Sequence, residues 1–210
     1  VQVKDGKQQF AYRDGSPRAV RTELPIPGRM NVLNATGALT LVSSLGISAQ
    51  DAAPALADFR GIWRRFEVIS FKDDTLVVSD YAHHPTAIAA TIDAARSFYP
   101  GRRVVVCFQP HHRRRTRDLF LDFVPVFDRA DQLLLCEIYD VAGREEGEQI
   151  SSRDLQDSIL RHDAERGTQR SVEYAPDPEE ALTILKRWKR EGDIILVMGA
   201  GDIYSIAKNI

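Results

Sequence analysis

Short runs of alternating apolar and polar residues open the chain and predict β-strands. Val1–Val3 and Gln8–Tyr12 flank Asp5-Gly6, a dipeptide typical of a two-residue hairpin turn. Asp14-Gly15 predicts a second turn, and Val20–Leu24 a further strand. The amino-terminal stretch is therefore expected to form a small antiparallel sheet.

A helical spacing of apolar residues follows, from about Asn31 to Leu45. Leu33 and Leu41 lie on its predicted apolar face, and Gly46 is typical of the residue that ends a helix. A second helix is predicted over Ser48–Phe59, since its first residues resemble a capping box.

From Phe66 onward, strand-like runs alternate with helix-like runs, which predicts βαβ crossovers and a mostly parallel sheet. The chain is therefore expected to be an α/β protein with helices on both faces of that sheet. The predicted strands are Phe66–Phe71, Leu76–Ser79, Val104–Phe108, Leu133–Ile138, Val172–Tyr174 and Ile194–Met198. The predicted helices are Pro85–Phe98, Arg117–Phe127, Ser152–Arg161, Pro178–Arg190 and one from Ile203, with a Gly-rich acidic loop at Gly143–Gln149.

Composition narrows the class of protein. The 28 basic and 30 acidic residues give a formal net charge of −2, which excludes a broadly basic nucleic-acid binder. Cys107 and Cys136 lie in apolar strand-like runs, so they are expected to be reduced core residues of a cytosolic protein. No apolar segment approaches the roughly 20 residues that span a bilayer. The chain has no signal peptide and no initiator Met, so it is expected to be a fragment.

The stretch FQPHHRRRTRDLF follows the strand that ends at Phe108 and is the most basic part of the chain. Loops at the carboxyl ends of parallel strands bind ligands in α/β proteins. Guanidinium groups there suit a carboxylate or a phosphate. A solvated charged loop is the open alternative. The stretch holds His111, His112, Arg113, Arg114, Arg115 and Arg117.

A second polar loop, Asp80–Thr86, follows another strand of the same predicted sheet and should open on the same edge. Its histidines would lie near those of Gln109–Arg117. A metal site is disfavoured, because the spacing matches no established ligand pattern and the arginines would repel a cation. His84, before Pro85, is better explained as a helix-start residue that bonds backbone.

Two further segments have two interpretations each. The turn Gly199–Asp202 could hold a phosphate on its backbone N–H groups, but a tight strand-to-helix turn explains its glycines equally well. Arg64 and Arg65 could reach a phosphate beside a cleft, or form surface ion pairs.

Together, the segments PGRMNVLNATGAL, RRFE, DYAHHPTAI, FQPHHRRRTRDLF and MGAGDI resemble the Mur ligase family in order and spacing, from Pro27 on. The resemblance implies a Rossmann-like carboxyl-terminal domain over 59–210, preceded at 1–58 by the end of a central ATPase domain. The family's Gly-Lys-Thr phosphate loop does not occur in the sequence. The chain is therefore expected to lack turnover alone, to hold no nucleotide tightly, and to need the missing amino-terminal domains.

The resemblance is greatest to members that join L-alanine to UDP-N-acetylmuramate in cytoplasmic peptidoglycan precursor synthesis. It implies an acyl phosphate made with ATP and Mg²⁺, and no resident metal, nucleic-acid or membrane partner. The implied catalytic residues are His83 and Arg115. The implied substrate-binding residues are Tyr81, His83, His111, His112, Arg115 and Arg117, and the implied nucleotide-binding residues are Asn31, Asn34, Arg65 and Asp80.

The chain departs from the family pattern at four positions. Met30 stands where histidine is usual, Ala82 replaces a glycine, and His112 and Arg113 replace arginine and tyrosine. Two alternatives remain at this point: the family member that recycles murein tripeptide, and a non-enzymatic domain that binds RNA or another polyanion through HHRRRTR.

Overall fold

The computed structural model of the protein describes residues 1–13, 15, 18–140 and 150–210. Contacts divide it into a first unit, Val1–Ile62 with Asp93–Pro100, and a second unit, Trp63–Ile92 with Gly101–Ile210. The assignment of 1–58 and 59–210 to two domains of the family stays a prediction. The predicted turn at Asp14-Gly15 and the loop at Gly143–Gln149 lie wholly or partly outside the described residues.

The first unit contains an antiparallel sheet of β1 (Gln2–Lys4), β2 (Lys7–Tyr12) and β3 (Val20–Leu24), in that order. Asp5 and Gly6 have φ of 52° and 70°, as the predicted hairpin turn requires. Helices α1 (Arg29–Ser44) and α2 (Ala49–Asp58) follow. This unit has two buried clusters, which are Phe10, Leu24, Ile26, Val32 and Ala35, and Tyr12, Leu39 and Ala49.

The prediction that Leu33 and Leu41 lie on the apolar face of α1 is wrong. Leu33 and Leu41 are 63% and 62% exposed, and the buried residues of the helix are Val32, Ala35 and Leu39. Both sets have helical spacing, so periodicity alone could not choose between them. The predicted helix end is confirmed, because Gly46 adopts φ 85° and Ile47 N–H donates to Val42 O.

The second unit is built on a six-stranded sheet with the order β4-β5-β9-β6-β7-β8, in which only the β4–β5 pair is antiparallel. The strands are β4 (Glu67–Lys72), β5 (Thr75–Asp80), β6 (Val104–Phe108), β7 (Gln132–Cys136), β8 (Val172–Ala175) and β9 (Ile194–Met198). The helices that follow in the chain are α3 (Pro85–Phe98), whose residues from Asp93 on belong to the first unit, α4 (Arg113–Asp118), α5 (Phe120–Phe123), α6 (Ser152–Glu165) and α7 (Pro178–Trp188), with 3-10 helices at Pro125–Phe127 and Asp202–Asn209.

Successive side chains of a strand point to opposite faces of the sheet, and both faces of this sheet are covered. Cys107 faces a cluster that includes Leu185 of α7, whereas its neighbour Phe108 packs on Phe123 and Phe127. The predicted α/β class with a mostly parallel sheet is therefore confirmed. Both cysteines are buried and free, as expected.

The predicted helix Arg117–Phe127 begins too late. Helix α4 starts at Arg113, so Arg113, Arg114 and Arg115 lie on a helix where a loop was predicted. Arginine is a good helix former, and Thr116 closes the first turn with both its N–H and its hydroxyl on His112 O. The predicted last helix is a 3-10 helix.

Strand β9 lies between β5 and β6, a position that their order in the sequence does not indicate. The loops after β5, β9 and β6 therefore open side by side at one edge of the sheet. None of the helices in the described part of the chain is both long and apolar enough to cross a bilayer.

Candidate functional site

Three adjacent loops of the second unit form the candidate site: Asp80–Thr86 after β5, Gly199–Asp202 after β9, and Gln109–His112 after β6. Backbone hydrogen bonds join neighbours in this series. Gly199 N–H donates to Asp80 O at 3.1 Å, and Gln109 N–H donates to Met198 O at 3.0 Å. The three loops are thereby fixed to one another at the carboxyl edge.

The buried side chain of Asp80 stabilises the first loop by hydrogen bonds. Its side-chain oxygens accept the N–H groups of Phe66 and Ala82, each at 2.8 Å, and the residue is 6% exposed. Burial raises the pKa of this carboxyl group, while those two hydrogen bonds oppose the rise. The structure thus gives Asp80 a local structural role, and its predicted ribose contact stays a prediction.

His83 has a defined tautomer. Its Nδ1 lies 2.9 Å from Tyr81 O, and since a carbonyl only accepts, Nδ1 carries the proton. Burial lowers the pKa of His83, and the charges of Arg115 and Arg65 lower it further, against the raising effect of that hydrogen bond. A neutral imidazole with a lone pair on Nε2 therefore stands at the sheet edge.

His111 lies next to His83, with ring centroids 6.3 Å apart, and stacks on Tyr139 at 5.4 Å and 14°. Burial, followed by the charges of His112 and Arg115, lowers the pKa of His111 to about 4. His111 is therefore also neutral at physiological pH. Its Nδ1 is buried and has no hydrogen-bond partner among the described residues.

The four arginines of α4 differ in their partners. Arg115 is half-buried, and its Nη1 donates to His111 O at 3.5 Å, but it has no carboxylate partner among the residues that the structure describes. Its guanidinium group can therefore receive a carboxylate from a ligand. The other three pair with aspartates: Arg113 with Asp140 at 2.7 Å, Arg114 with Asp118 at 3.7 Å, and Arg117 with Asp118 at 2.9 Å.

Arg64 is a buried residue of the site that sequence reasoning passed over in favour of Arg65. It is 4% exposed, and its Nη2 donates to Gly199 O and Gly201 O. Its guanidinium carbon also lies 4.8 Å from the centre of the Tyr81 ring. Two adjacent arginines look alike in the sequence, so no signal there distinguishes the buried one from the exposed one.

The turn Gly199–Asp202 is explained by close packing. A Cβ on Gly201 would lie 2.5 Å from Gln109 Oε1 and 2.6 Å from the ring of Tyr139. Ile203 N–H donates to Gln109 Oε1 at 3.3 Å. These contacts support the tight-turn interpretation of the glycines over a phosphate cradle.

The other predicted site residues have simpler surroundings. Arg65 is exposed, with its guanidinium carbon 5.4 Å from the Tyr81 ring centre. Among the described residues, no three His, Cys, Asp or Glu side chains are arranged to hold a metal.

His84 caps α3, as predicted, by accepting from Thr86 N–H at 3.3 Å.

Asn31 and Asn34 lie on α1 in the first unit. Asn31 Nδ2 donates to Pro27 O at 2.6 Å, which leaves its Oδ1 as an acceptor, whereas Asn34 is exposed. Their predicted adenine contacts stay predictions.

Comparison with known proteins identifies relatives for nearly the whole chain. Residues 64–201 match the family model described as Mur ligase, glutamate ligase domain. The UDP-N-acetylmuramate–L-alanine ligase of Acidithiobacillus ferrooxidans is 45% identical over 185 residues, 88% of this chain and 38% of the relative. The enzyme of the same name from Methylococcus capsulatus is 41% identical over 208 residues, 97% of this chain and 43% of the relative.

Solved structures of ligases with related names also match this chain. The UDP-N-acetylmuramate–alanine ligase of Thermotoga maritima matches with a TM-score of 0.80 and 25% identity, over 99% of this chain and 43% of that one. A murein peptide ligase from Psychrobacter arcticus matches with a TM-score of 0.60 and 25% identity, over 100% of this chain and 44% of that one. The chain thus spans about two fifths of the length of the relatives it matches.

Proposed function

Because the chain belongs to the Mur ligase family, we propose that it forms the amino-acid-binding part of a UDP-N-acetylmuramate–L-alanine ligase. The proposal takes its substrates from the relatives' names and its residues from the carboxyl edge of the sheet. The reaction is the ATP-dependent formation of an amide bond in the cytoplasm, during peptidoglycan precursor synthesis.

The observation that carries the proposal is the pairing of an available guanidinium group with a neutral imidazole. Both residues lie at the carboxyl edge of the sheet, and the charge of Arg115 adds to the effect of burial in lowering the pKa of His83. L-alanine carries a carboxylate and an ammonium group on one carbon. Arg115 binds the carboxylate, and His83 Nε2, whose lone pair is free of the Tyr81 hydrogen bond, accepts a proton from the ammonium group.

The chemistry needs these two roles together. In the proposed reaction, the muramyl carboxylate attacks the γ-phosphorus of ATP and forms an acyl phosphate and ADP. The alanine nitrogen, after losing its proton, attacks the acyl carbon, and the tetrahedral intermediate breaks its bond to phosphate to leave the amide. Holding the carboxylate while freeing the amine contributes mainly by orientation.

The nucleotide-binding roles rest on the chemistry of single side chains. Asn31 Oδ1 and the Asn34 amide suit an adenine edge, and the exposed guanidinium group of Arg65 suits a phosphate. ATP with Mg²⁺ supplies the activated phosphoryl group. Asp80 is a weaker candidate for the ribose, because both its oxygens already accept backbone N–H groups.

The substrate-binding roles of Tyr81, His111, His112 and Arg117 are less direct. Tyr81 positions His83 through its carbonyl group, and His111 supports Arg115 in the same way. Arg117 is exposed and paired with Asp118, which favours a surface role. Three of the four α4 arginines pair with Asp118 or Asp140, which reduces the positive charge of this helix and argues against a polyanion-binding surface.

The test is a titration of the purified 210-residue chain with L-alanine. Binding is monitored through the NMR signals of Arg115 Nε and the His83 ring. We expect L-alanine to shift both signals saturably, whereas D-alanine and the murein tripeptide do not. Arg115→Ala should weaken binding about tenfold or more, because a charge-assisted contact to the carboxylate is lost.

Arg114→Ala is the matched control. Arg114 is on the same short helix but is 77% exposed and paired with Asp118, so its removal should leave alanine binding unchanged. Equal loss in both variants would indicate a general effect of charge. Binding that is indifferent to Arg115→Ala would contradict the carboxylate role, and preferential binding of the tripeptide would favour the recycling ligase.

A further inference from the structure

Tyr139 extends the pairing of β6 and β7 beyond the ends of both strands. Its N–H donates to Pro110 O at 2.8 Å, and its carbonyl group accepts from His112 N–H at 3.1 Å. His111 and Tyr139 thereby form an isolated parallel bridge. The backbone of Tyr139 thus holds the basic stretch on both sides of His111.

The ring of Tyr139 lies between two other parts of the site. One side stacks on the His111 imidazole at 5.4 Å and 14°. The ring is also so close to Gly201 that a Cβ there would lie 2.6 Å from it. The ring therefore contacts both His111 and the turn that follows β9.

The conformation that Tyr139 supports is a strained one. His112 has φ 71° at the N-terminal end of α4, in a region that residues with a Cβ seldom adopt. Its N–H is the group bonded to Tyr139, and its carbonyl group accepts from Thr116 N–H. Where α4 begins, and hence where Arg115 lies, depends on this residue.

From these contacts we infer that Tyr139 is a positioning residue of the amino-acid site, whose ring fixes His111 and, through His111 and the start of α4, the guanidinium group of Arg115. The inference rests on the proposed function for the identity of the ligand. Tyr139 acts through its ring face, because its hydroxyl group has no hydrogen bond to a residue that the structure describes.

The test compares Tyr139→Phe with Tyr139→Ala and Tyr139→Leu in the 210-residue chain. Two quantities are measured by NMR: the affinity for L-alanine and the pKa of His111. Tyr139→Phe keeps the ring, so both should match the parent chain. Tyr139→Leu keeps apolar volume against Gly201 but removes the aromatic face, and it provides a folded variant if Tyr139→Ala is too unstable.

In the alanine and leucine variants we expect L-alanine to bind about fivefold more weakly, the order expected for one lost ring stack. We also expect the pKa of His111 to rise from about 4 towards 6.5, since burial is the largest cause of its low value. The basic residues whose electrostatic effect also lowers it, His112, Arg115, His83 and Arg64, are all retained, so the rise would report the lost ring.

Two results would overturn the inference. An unchanged His111 pKa in both Tyr139→Leu and Tyr139→Ala would show that the ring does not position this histidine. Equal effects of Tyr139→Phe and Tyr139→Leu would assign the role to the hydroxyl group. If the parent chain does not bind L-alanine, the proposed function fails, but the His111 titration still decides the role of Tyr139.

Discussion

At the scale of single residues, the neutral imidazoles at the sheet edge make the fold sensitive to acid. The pKa of His111 is about 4 in the folded chain and about 6.5 ordinarily. Between these values the unfolded chain binds the proton and the folded chain does not. The contribution of His111 to the free energy of unfolding should therefore be fully present above pH ~6.5 and should be lost as the pH falls towards 4.

His111→Phe tests this dependence, since phenylalanine keeps a ring against Tyr139 but cannot take up a proton. We expect this variant to lose less stability than the parent chain between pH 7 and pH 5, as measured by urea unfolding at both values. The control is His84→Asn, which keeps a capping side chain at the exposed start of α3 and should keep the parent's dependence. A His111→Phe chain with the parent's slope would contradict the assignment.

The chemistry of individual residues is only partly predictable from sequence. The resemblance to the family implies roles for His83 and Arg115, which stay predictions, and the structure brings both residues to one edge of the sheet. Arg64 escapes such reasoning because its burial depends on contacts with Gly199 and Gly201, over 130 positions away in the sequence. Tyr139 gives no signal either, since one tyrosine after a strand resembles any other.

At the scale of elements, the amino edge of the parallel sheet is held by one buried ion pair. Arg103, before β6, donates through Nε and Nη2 to the two oxygens of Asp193, before β9, at 2.8 and 2.7 Å. It also donates to Gln132 at the start of β7 and to Trp188 O at the end of α7. One side chain thus joins three strands and a helix.

Arg103→Met should therefore destabilise the second unit strongly. Asp193 is 1% exposed and would keep its charge without its partner, which costs about 3 kcal/mol in the free energy of unfolding. Arg187→Met, which breaks an exposed pair with Glu173, should cost about 1 kcal/mol or less. Similar losses in denaturant unfolding of the two variants would show that burial does not distinguish the pairs.

Element types are predictable where the pattern is long or the signal is local. The limits of α3, β6 and β9 match the predicted ones residue for residue. The start of α4 could not be predicted, because it depends on His112 being held at φ 71° by its hydrogen bond to Tyr139, a contact between separate loops. The position of β9 between β5 and β6 is likewise a non-local property.

At the scale of the whole molecule, the order of motifs along the chain is enough to indicate the family, and the comparisons confirm it. Three of the five motifs, DYAHHPTAI, FQPHHRRRTRDLF and MGAGDI, lie at the carboxyl ends of parallel strands, where ligands bind in α/β proteins. The same order indicates which part of the family's reaction this chain could serve. We propose that the carboxyl edge of the sheet binds the amino acid, and the Gly-Lys-Thr phosphate loop of the family does not occur in this sequence.

The purified 210-residue chain should therefore release no phosphate from ATP above background, with or without L-alanine and UDP-N-acetylmuramate. A Gly-rich loop and its lysine hold the β- and γ-phosphates in such enzymes, and neither Arg65 nor the packed turn at Gly201 replaces that cradle. The measurement is phosphate release over hours, with a complete ligase from a relative as the positive control. Turnover that Arg65→Ala abolishes would come from this chain and would contradict the prediction, whereas turnover that survives Arg65→Ala would point to a contaminating ATPase.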